Sequence, residues 1–316
     1  MSDAELHPIL REALAQPGDP SATPVERQTP EEARAEFLAD IAAVDGPKAE
    51  VGETVELALA GSVGQLAARL YMPATLDDGA SAVMLYFHGG GNIRGGIETH
   101  DSTARVLANA GGIPVISCSY RLAPEHPFPA AVDDALSIAR DVAARANELG
   151  IAGRRLIVAG DSAGGNIAAV LALRARDEGG PDFAAQLLIY PVIDHTAETP
   201  SRAAFSKGYM LDSMPFYTAC YLPDPAKRSE PHASPLYAGD VSGLPPAVVL
   251  TAGFDPLRDE ALAYAERMEE AGVAVTRLHY PQMIHGFTLL RGLLPEADEA
   301  LAACAVEVLA LARGKS

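Results

Sequence analysis

From about residue 82 onward, short runs of Val, Ile, Leu and Phe alternate with longer stretches whose apolar residues recur every three or four positions. The short runs are AVMLYF (82–87), PVISCSY (114–120), RLIVAG (155–160), QLLIYP (186–191), PAVVLTA (246–252) and VTRLHY (275–280). Between them lie DSTARVLANA, AAVDDALSIARDVAARANEL and LRDEALAYAERMEEAG, and DEALAACAVEVLALAR follows the last run. Runs without polar alternation predict strands buried on both faces. Strands alternating with amphipathic helices predict right-handed crossovers into a mostly parallel sheet flanked by helices, a doubly wound α/β architecture.

Ahead of this region, TVELALA (54–60) and QLAARLYMP (65–73), separated by Gly61 and Gly64, predict a hairpin at the sheet edge. The first fifty residues hold one convincing helical pattern, EEARAEFLADIAAV, and a proline-rich stretch, PGDPSATPVERQTP. Such a segment has no core of its own. The expected organisation is therefore an N-terminal cap segment over 1–50 and a catalytic domain over 51–316. A second cap piece is expected at about 193–224, where the alternation breaks into a long loop and the pattern LDSMPFYTACYL. Long insertions after strand ends of such a sheet cover its ligand crevice.

Composition narrows the function classes. The net charge of −18 argues against nucleic acid or an anionic lipid surface as a partner. No apolar run approaches the length of a membrane span, and MSDAELHPILREALAQPGD lacks the apolar centre of a signal peptide, so a cytoplasmic location is expected. Cys118, Cys220 and Cys304 show no paired spacing and are expected to be reduced, mostly buried thiols. No cofactor or metal is expected. No His/Cys/Asp cluster has metal-ligand spacing, and the glycine-rich stretches lack both the lysine of a phosphate cradle and the G-x-G-x-x-G pattern.

The chemistry concentrates at GDSAGG (160–165), where Ser162 stands between glycines as the strand RLIVA gives way to the helical NIAAVLALRAR. Reversal within two residues strains the serine backbone and leaves no room for side chains at 160 and 164. The helix that follows aims its first N–H groups and positive dipole end at any oxyanion formed there. A serine nucleophile needs a base, a group orienting that base, and oxyanion donors. His88-Gly89-Gly90-Gly91 follows the first long strand and bares its backbone N–H groups. Asp255 follows the strand PAVVLTA, on the same sheet edge as Ser162. Of the eight histidines, only His285 stands in a loop after a strand, close behind the acid and with a glycine, Gly286, next to it; His279 belongs to the strand itself, His88 braces the glycine loop, and the others read as surface or loop residues.

These stretches, YFHGGG, SYRLAPEHPFPAAVDDA, VAGDSAGGN, LPPAVVLTAGFDPLRDE, AGVAV and HGF, resemble the bacterial hormone-sensitive-lipase-like (family IV) carboxylesterases of the α/β-hydrolase superfamily over about residues 82–290. The order Ser, Asp, His is the order of that superfamily. The resemblance implies an α/β-hydrolase fold with a small helical cap and the catalytic triad Ser162, Asp255 and His285. It implies oxyanion donors at Gly89, Gly90 and Ala163. It implies hydrolysis of short-to-medium acyl esters through an acyl-enzyme on Ser162, with a small-molecule ester as partner, and it admits a homodimer through the sheet edge or the last helix.

The same triad serves amidases, thioesterases and acyltransferases. A non-catalytic receptor, as in the plant gibberellin receptors that resemble this family, lacks the histidine that stands here at 285. Two departures bear on substrate preference: Asn92, Ile93 and Arg94 follow the glycines where relatives often have an aromatic residue, and Pro281-Gln282 replaces the usual glycine before HGF. Asn92 and Arg94 are the candidate pocket residues.

Overall fold

A computed structural model describes residues 5–16, 22–77 and 81–314. Residues 17–21, part of the proline-rich stretch, and 1–4 lie outside the described residues. The elements run α1 (Pro8–Ala15), α2 (Pro30–Val44), β1 (Glu53–Ala60), β2 (Gln65–Met72), β3 (Ala82–Phe87), α3 (Asp101–Gly111), β4 (Val115–Cys118) and α4 (Ala130–Ala144). They continue as β5 (Arg155–Asp161), α5 (Ala163–Glu178), β6 (Phe183–Ile189), α6 (Pro200–Phe205), α7 (Met214–Tyr221), β7 (Ala247–Phe254), α8 (Arg258–Glu270), β8 (Val275–Ile284) and α9 (Pro295–Ala312).

The sheet has eight strands in the order β1-β2-β4-β3-β5-β6-β7-β8. The hairpin β1-β2 is antiparallel and joins β4 antiparallel, and every other pairing is parallel. Each strand divides its residues between two cores by the period-two alternation of side chains. Along β3, Val83, Leu85 and Phe87 pack on the side of α4, α5 and α8, while Ala82, Met84 and Tyr86 pack on the side of α3 and α9. Both faces are covered, so the central strands carry no polar face. Outer β8 is half-buried and alternates, which is why it extends four residues beyond its apolar pattern to Ile284.

Helix α1 was not anticipated. Its eight residues bury only Leu10, and the chain before it is tied to the sheet by the His7 N–H on the Gln282 carbonyl, at 2.9 Å. Helix α2 opens on a capping box, Thr29 with Glu32, and is bound to the loop after β3 through Arg34, whose fork meets both Glu125 oxygens at 2.8 Å and whose Nε donates to the Ile93 carbonyl. The insertion after β6 forms two short helices, α6 and α7. Arg202 of α6 pairs with the buried Glu260 of α8, and Glu260 also accepts from the Ile193 and Asp194 N–H groups. Cys118 and Cys304 are buried and Cys220 is half-buried; all are free thiols. Among the described residues no helix is long and apolar enough to cross a membrane.

Besides the pairing of β2 with β4, one buried carboxylate ties the turn of the edge hairpin to α4. Asp134, fully buried in α4, accepts from the Ser62 N–H and hydroxyl and from the Arg121 backbone and side chain. Burial opposes its charge, but these donors outweigh burial and hold its pKa below the ordinary carboxylate value. A depressed carboxylate contributes stability that is present above its unfolded pKa and lost as the pH falls toward the folded one. Asp134→Ala should therefore lower stability at pH 7 by about 3 kcal/mol. In urea unfolding, the gap from wild type should narrow as the pH falls below about 4. Equal midpoints at pH 7 would contradict this role.

Candidate active site

The turn after β5 approaches the end of β3 as closely as backbone allows. A Cβ on Gly164 would lie 1.9 Å from the Phe87 carbonyl oxygen, and one on Gly160 would lie 2.3 Å from the Gly164 carbonyl oxygen. Only glycine fits either position. Ser162, between them, has φ 54° and ψ −116°, a conformation that costs an L-residue about 1–3 kcal/mol. That strain is held by the Ser162 N–H on the Ile189 carbonyl, and by the Asn166 and Val192 N–H groups on the Ser162 carbonyl. Asn166, buried in the first turn of α5, ties the adjoining loops by donating to the Val192 and Ala233 carbonyls.

The other two predicted side chains meet the serine. Asp255 directly follows β7 and is fully buried; its Oδ1 accepts the Leu257 N–H at 2.7 Å, which fixes the carboxylate plane. His285 directly follows β8, where Gly286 at φ +75° turns the chain. Its Nδ1 lies 2.9 Å from Asp255 Oδ2 and its Nε2 lies 2.9 Å from Ser162 Oγ. With Nδ1 protonated toward the carboxylate, Nε2 is the acceptor for the serine proton. Burial works to lower the imidazole pKa. The charge and hydrogen bond of Asp255 outweigh it, so the group sits above its ordinary 6.5.

The glycine loop departs from expectation by one residue. The Gly89 N–H donates to Asp161 Oδ1 at 2.9 Å, with His100 Nε2 a longer 3.3 Å away, so it faces the interior and is unavailable to an oxyanion. Gly90 and Gly91, at φ +115° and +67°, turn the chain outward and line the cavity over Ser162. Among the described residues their N–H groups meet no protein acceptor, nor does that of Ala163 in the first turn of α5. The available donors are therefore Gly90, Gly91 and Ala163, and the expectation for Gly89 is corrected.

Asp161 performs the bracing. Its carboxylate also accepts from the Tyr86 hydroxyl at 2.6 Å, and burial of Asp161 is outweighed by His100 and these donors. His88 stacks on Tyr120 at 4.4 Å between ring centres, and burial with the adjacent His100 lowers it to about 4, so it is neutral at pH 7. His100 and His195, expected at the surface or in loops, are instead buried. His195 lines the cavity, and burial with the charges of Arg202 and Arg228 lowers it to about 3. A single histidine in a turn carries no periodic signal of its burial. The ring of Tyr190, another residue at positive φ, lies 4.8 Å from the His285 ring and backs it.

The cavity of about 430 Å³ above Ser162 is walled by α2, the insertion and the loop after β8. Phe37, Ile41, Val44, Leu211, Met214 and Leu289 make it largely apolar, and the expected Asn92 and Arg94 are both in its wall. Among the described residues no group of three His, Cys, Asp or Glu side chains could hold a metal ion. A nucleophile, a base, an orienting acid and three converging N–H donors beside an apolar cavity are the parts of acyl transfer.

Residues 84–289 match the family described as alpha/beta hydrolase fold. The chain is similar to the ethyl acetate hydrolase of Pseudomonas putida, 38% identical over 285 residues, spanning 88% of this chain and 89% of that one. It is also similar to the esterase LipI of Mycobacterium tuberculosis, 42% identical over 250 residues and 78% of each chain. Among solved structures, the hyperthermophilic esterase of the archaeon Pyrobaculum calidifontis superposes with a TM-score of 0.88 at 37% identity, covering 98% of this chain and 99% of that chain.

The His285 pKa is checked directly by an NMR titration of the imidazole. The wild-type value should lie above 6.5, and Asp255→Asn, which removes the largest of the influences opposing burial, should lower it. An unchanged value in the variant would contradict the electrostatic role of Asp255.

Proposed function

The chain belongs to the alpha/beta-hydrolase family and is a serine carboxylesterase of the bacterial hormone-sensitive-lipase-like type, and from that premise we propose that Ser162 hydrolyses short-to-medium acyl esters through an acyl-enzyme. The observation carrying this reading is the single imidazole that reaches Asp255 on one side and Ser162 on the other, at 2.9 Å each.

His285 Nε2 removes the Ser162 proton as Oγ attacks the ester carbonyl. Negative charge then develops on the carbonyl oxygen, where the N–H groups of Gly90, Gly91 and Ala163 receive it. These donors are set before the reaction by backbone held elsewhere, so they cost no reorganisation when the charge appears. Asp255 stabilises the imidazolium. The imidazolium then protonates the leaving alcohol, the tetrahedral species collapses to the acyl-enzyme, and His285 activates a water that attacks the acyl carbon and frees Ser162.

The N-terminal segment and the 193–224 insertion act as a cap. Both supply cavity walls, Phe37 and Ile41 from α2, Leu211, Met214 and Tyr217 from the insertion, and each is pinned to the body by an Arg–carboxylate pair. A cavity of about 430 Å³ walled by apolar side chains favours short and medium acyl groups over long ones. The relative named for ethyl acetate supports the same range. The partner is a small-molecule ester.

In a p-nitrophenyl ester series, turnover should be greatest from acetate to octanoate and collapse by palmitate; undiminished palmitate turnover would contradict a limit set by the cavity's volume. Ser162→Ala should lower kcat by about 10⁴-fold or more. Because the base must be neutral, wild-type kcat/KM should fall as the pH drops through a His285 pKa lying above 6.5. A rate flat to pH 4 would rule out His285 as the base.

A further inference from the structure

Arg94 lies in the loop after β3, its N–H donating to the Gly90 carbonyl at 3.1 Å, so its backbone is part of the turn that presents the oxyanion donors. Its guanidinium carbon lies 4.5 Å from the centre of the Phe37 ring of α2 and 5.1 Å from that of Tyr217 of α7. The two rings engage the cation from both cap pieces. Stacking on ring faces occupies the faces of a guanidinium and leaves its in-plane N–H donors to be satisfied by something else.

Nothing among the described residues satisfies them. Among the described residues no oxygen accepts from the Arg94 guanidinium, no carboxylate lies within ion-pair distance, and Nε is shut off from solvent without a partner. Elsewhere the chain readily pairs its arginines: Arg34, Arg69, Arg121, Arg202 and Arg291 each meet at least one carboxylate. Asp40, in the same cavity wall, feels the charge of Arg94 but forms no such pair with it. Its carboxyl is pushed up by burial and then by Glu36, against the pull of Arg94. Arg202 lines the same cavity but is paired with Glu260; in a protein of net charge −18, an arginine with no ion pair among the described residues is a local device and not part of a general basic surface.

We infer that Arg94 is the specificity-determining residue of this pocket and that the preferred esters carry a second, ionised carboxylate, which accepts from its two terminal Nη groups. The inference rests on the reading of Ser162 as the nucleophile, and it goes further by naming what the ester carries besides the scissile bond. A planar fork matches a carboxylate in two parallel hydrogen bonds, and a partly desolvated site strengthens them.

The carboxylate could sit on the acyl or on the alcohol side, and two substrate pairs separate these. The acyl pair is p-nitrophenyl valerate against mono-p-nitrophenyl glutarate. The alcohol pair is phenyl butyrate against 4-carboxyphenyl butyrate. In at least one pair the wild type should show the higher kcat/KM for the anionic member, through a lower KM. Arg94→Met should lower that anionic-to-neutral ratio by about 10- to 100-fold, and Arg94→Lys should recover part of it, as expected for a charge-assisted hydrogen bond. A ratio at or below one in both wild-type pairs would overturn the inference while leaving the esterase reading intact. A ratio unchanged in Arg94→Met would overturn it too, and would make the residue a clamp between the two cap pieces. No wild-type turnover of any of the four esters would overturn the esterase reading and the inference together.

Discussion

The site depends on one close approach of backbone to backbone, between the first turn of α5 and the end of β3. Gly164 sits so near the Phe87 carbonyl that any Cβ would overlap it, and the adjacent elbow places Ser162 at a positive φ. That contact brings two strand ends to the same point. The loop after β3 carries the outward N–H groups of Gly90 and Gly91, and the turn after β5 carries Ser162, the proposed nucleophile, and the Ala163 N–H. Were the two strands farther apart by the width of one methyl group, the donors and the serine would not serve one carbonyl. The strain at Ser162 is sustained by hydrogen bonds from Ser162, Asn166 and Val192 and by the β5-β6 pairing, so rigidity of the sheet is converted into position of one oxygen.

The placement of the other two proposed triad members follows from topology. Strands β5, β6, β7 and β8 lie side by side in parallel, so residues immediately after β5, β7 and β8 emerge on one edge. Asp255 and His285 each occupy the first position past their strands. The chain between them forms α8 on one face, a crossover that returns His285 to the serine. Ion pairing and burial then divide the labour. Asp255 raises the basicity of an otherwise desolvated imidazole, whereas His88 and His195, buried without a hydrogen-bonded carboxylate, are held neutral.

Much of this was legible in the chain because it rests on local signals. Apolar runs set the strands, their uninterrupted character set the parallel sheet, and the small residues around Ser162 set the elbow. What was not legible depends on tertiary geometry. Three successive glycines carry no mark of which N–H points outward; that is decided by Asp161, whose carboxylate turns back from the elbow and takes the Gly89 N–H, moving the available pair to Gly90 and Gly91. Helix α1 escaped detection because it is only eight residues long and lies outside the strand-helix alternation that marks the other elements. His100 and His195 are buried by residues distant in sequence. Arg94 could be flagged as a departure in the glycine loop, but its lack of a partner and its place between Phe37 and Tyr217 exist only once α2 and α7 are folded over it.

The account stands on covalent acylation at the strained turn. Its most direct test is mass spectrometry of the protein quenched in acid during turnover of p-nitrophenyl butyrate, with digestion to locate the added mass. A butyryl group on the peptide containing Ser162, absent from Ser162→Ala, is the predicted result. Hydrolysis proceeding with no acylated peptide in a quench that releases p-nitrophenol as a burst, or with the acyl group on another residue, would contradict it.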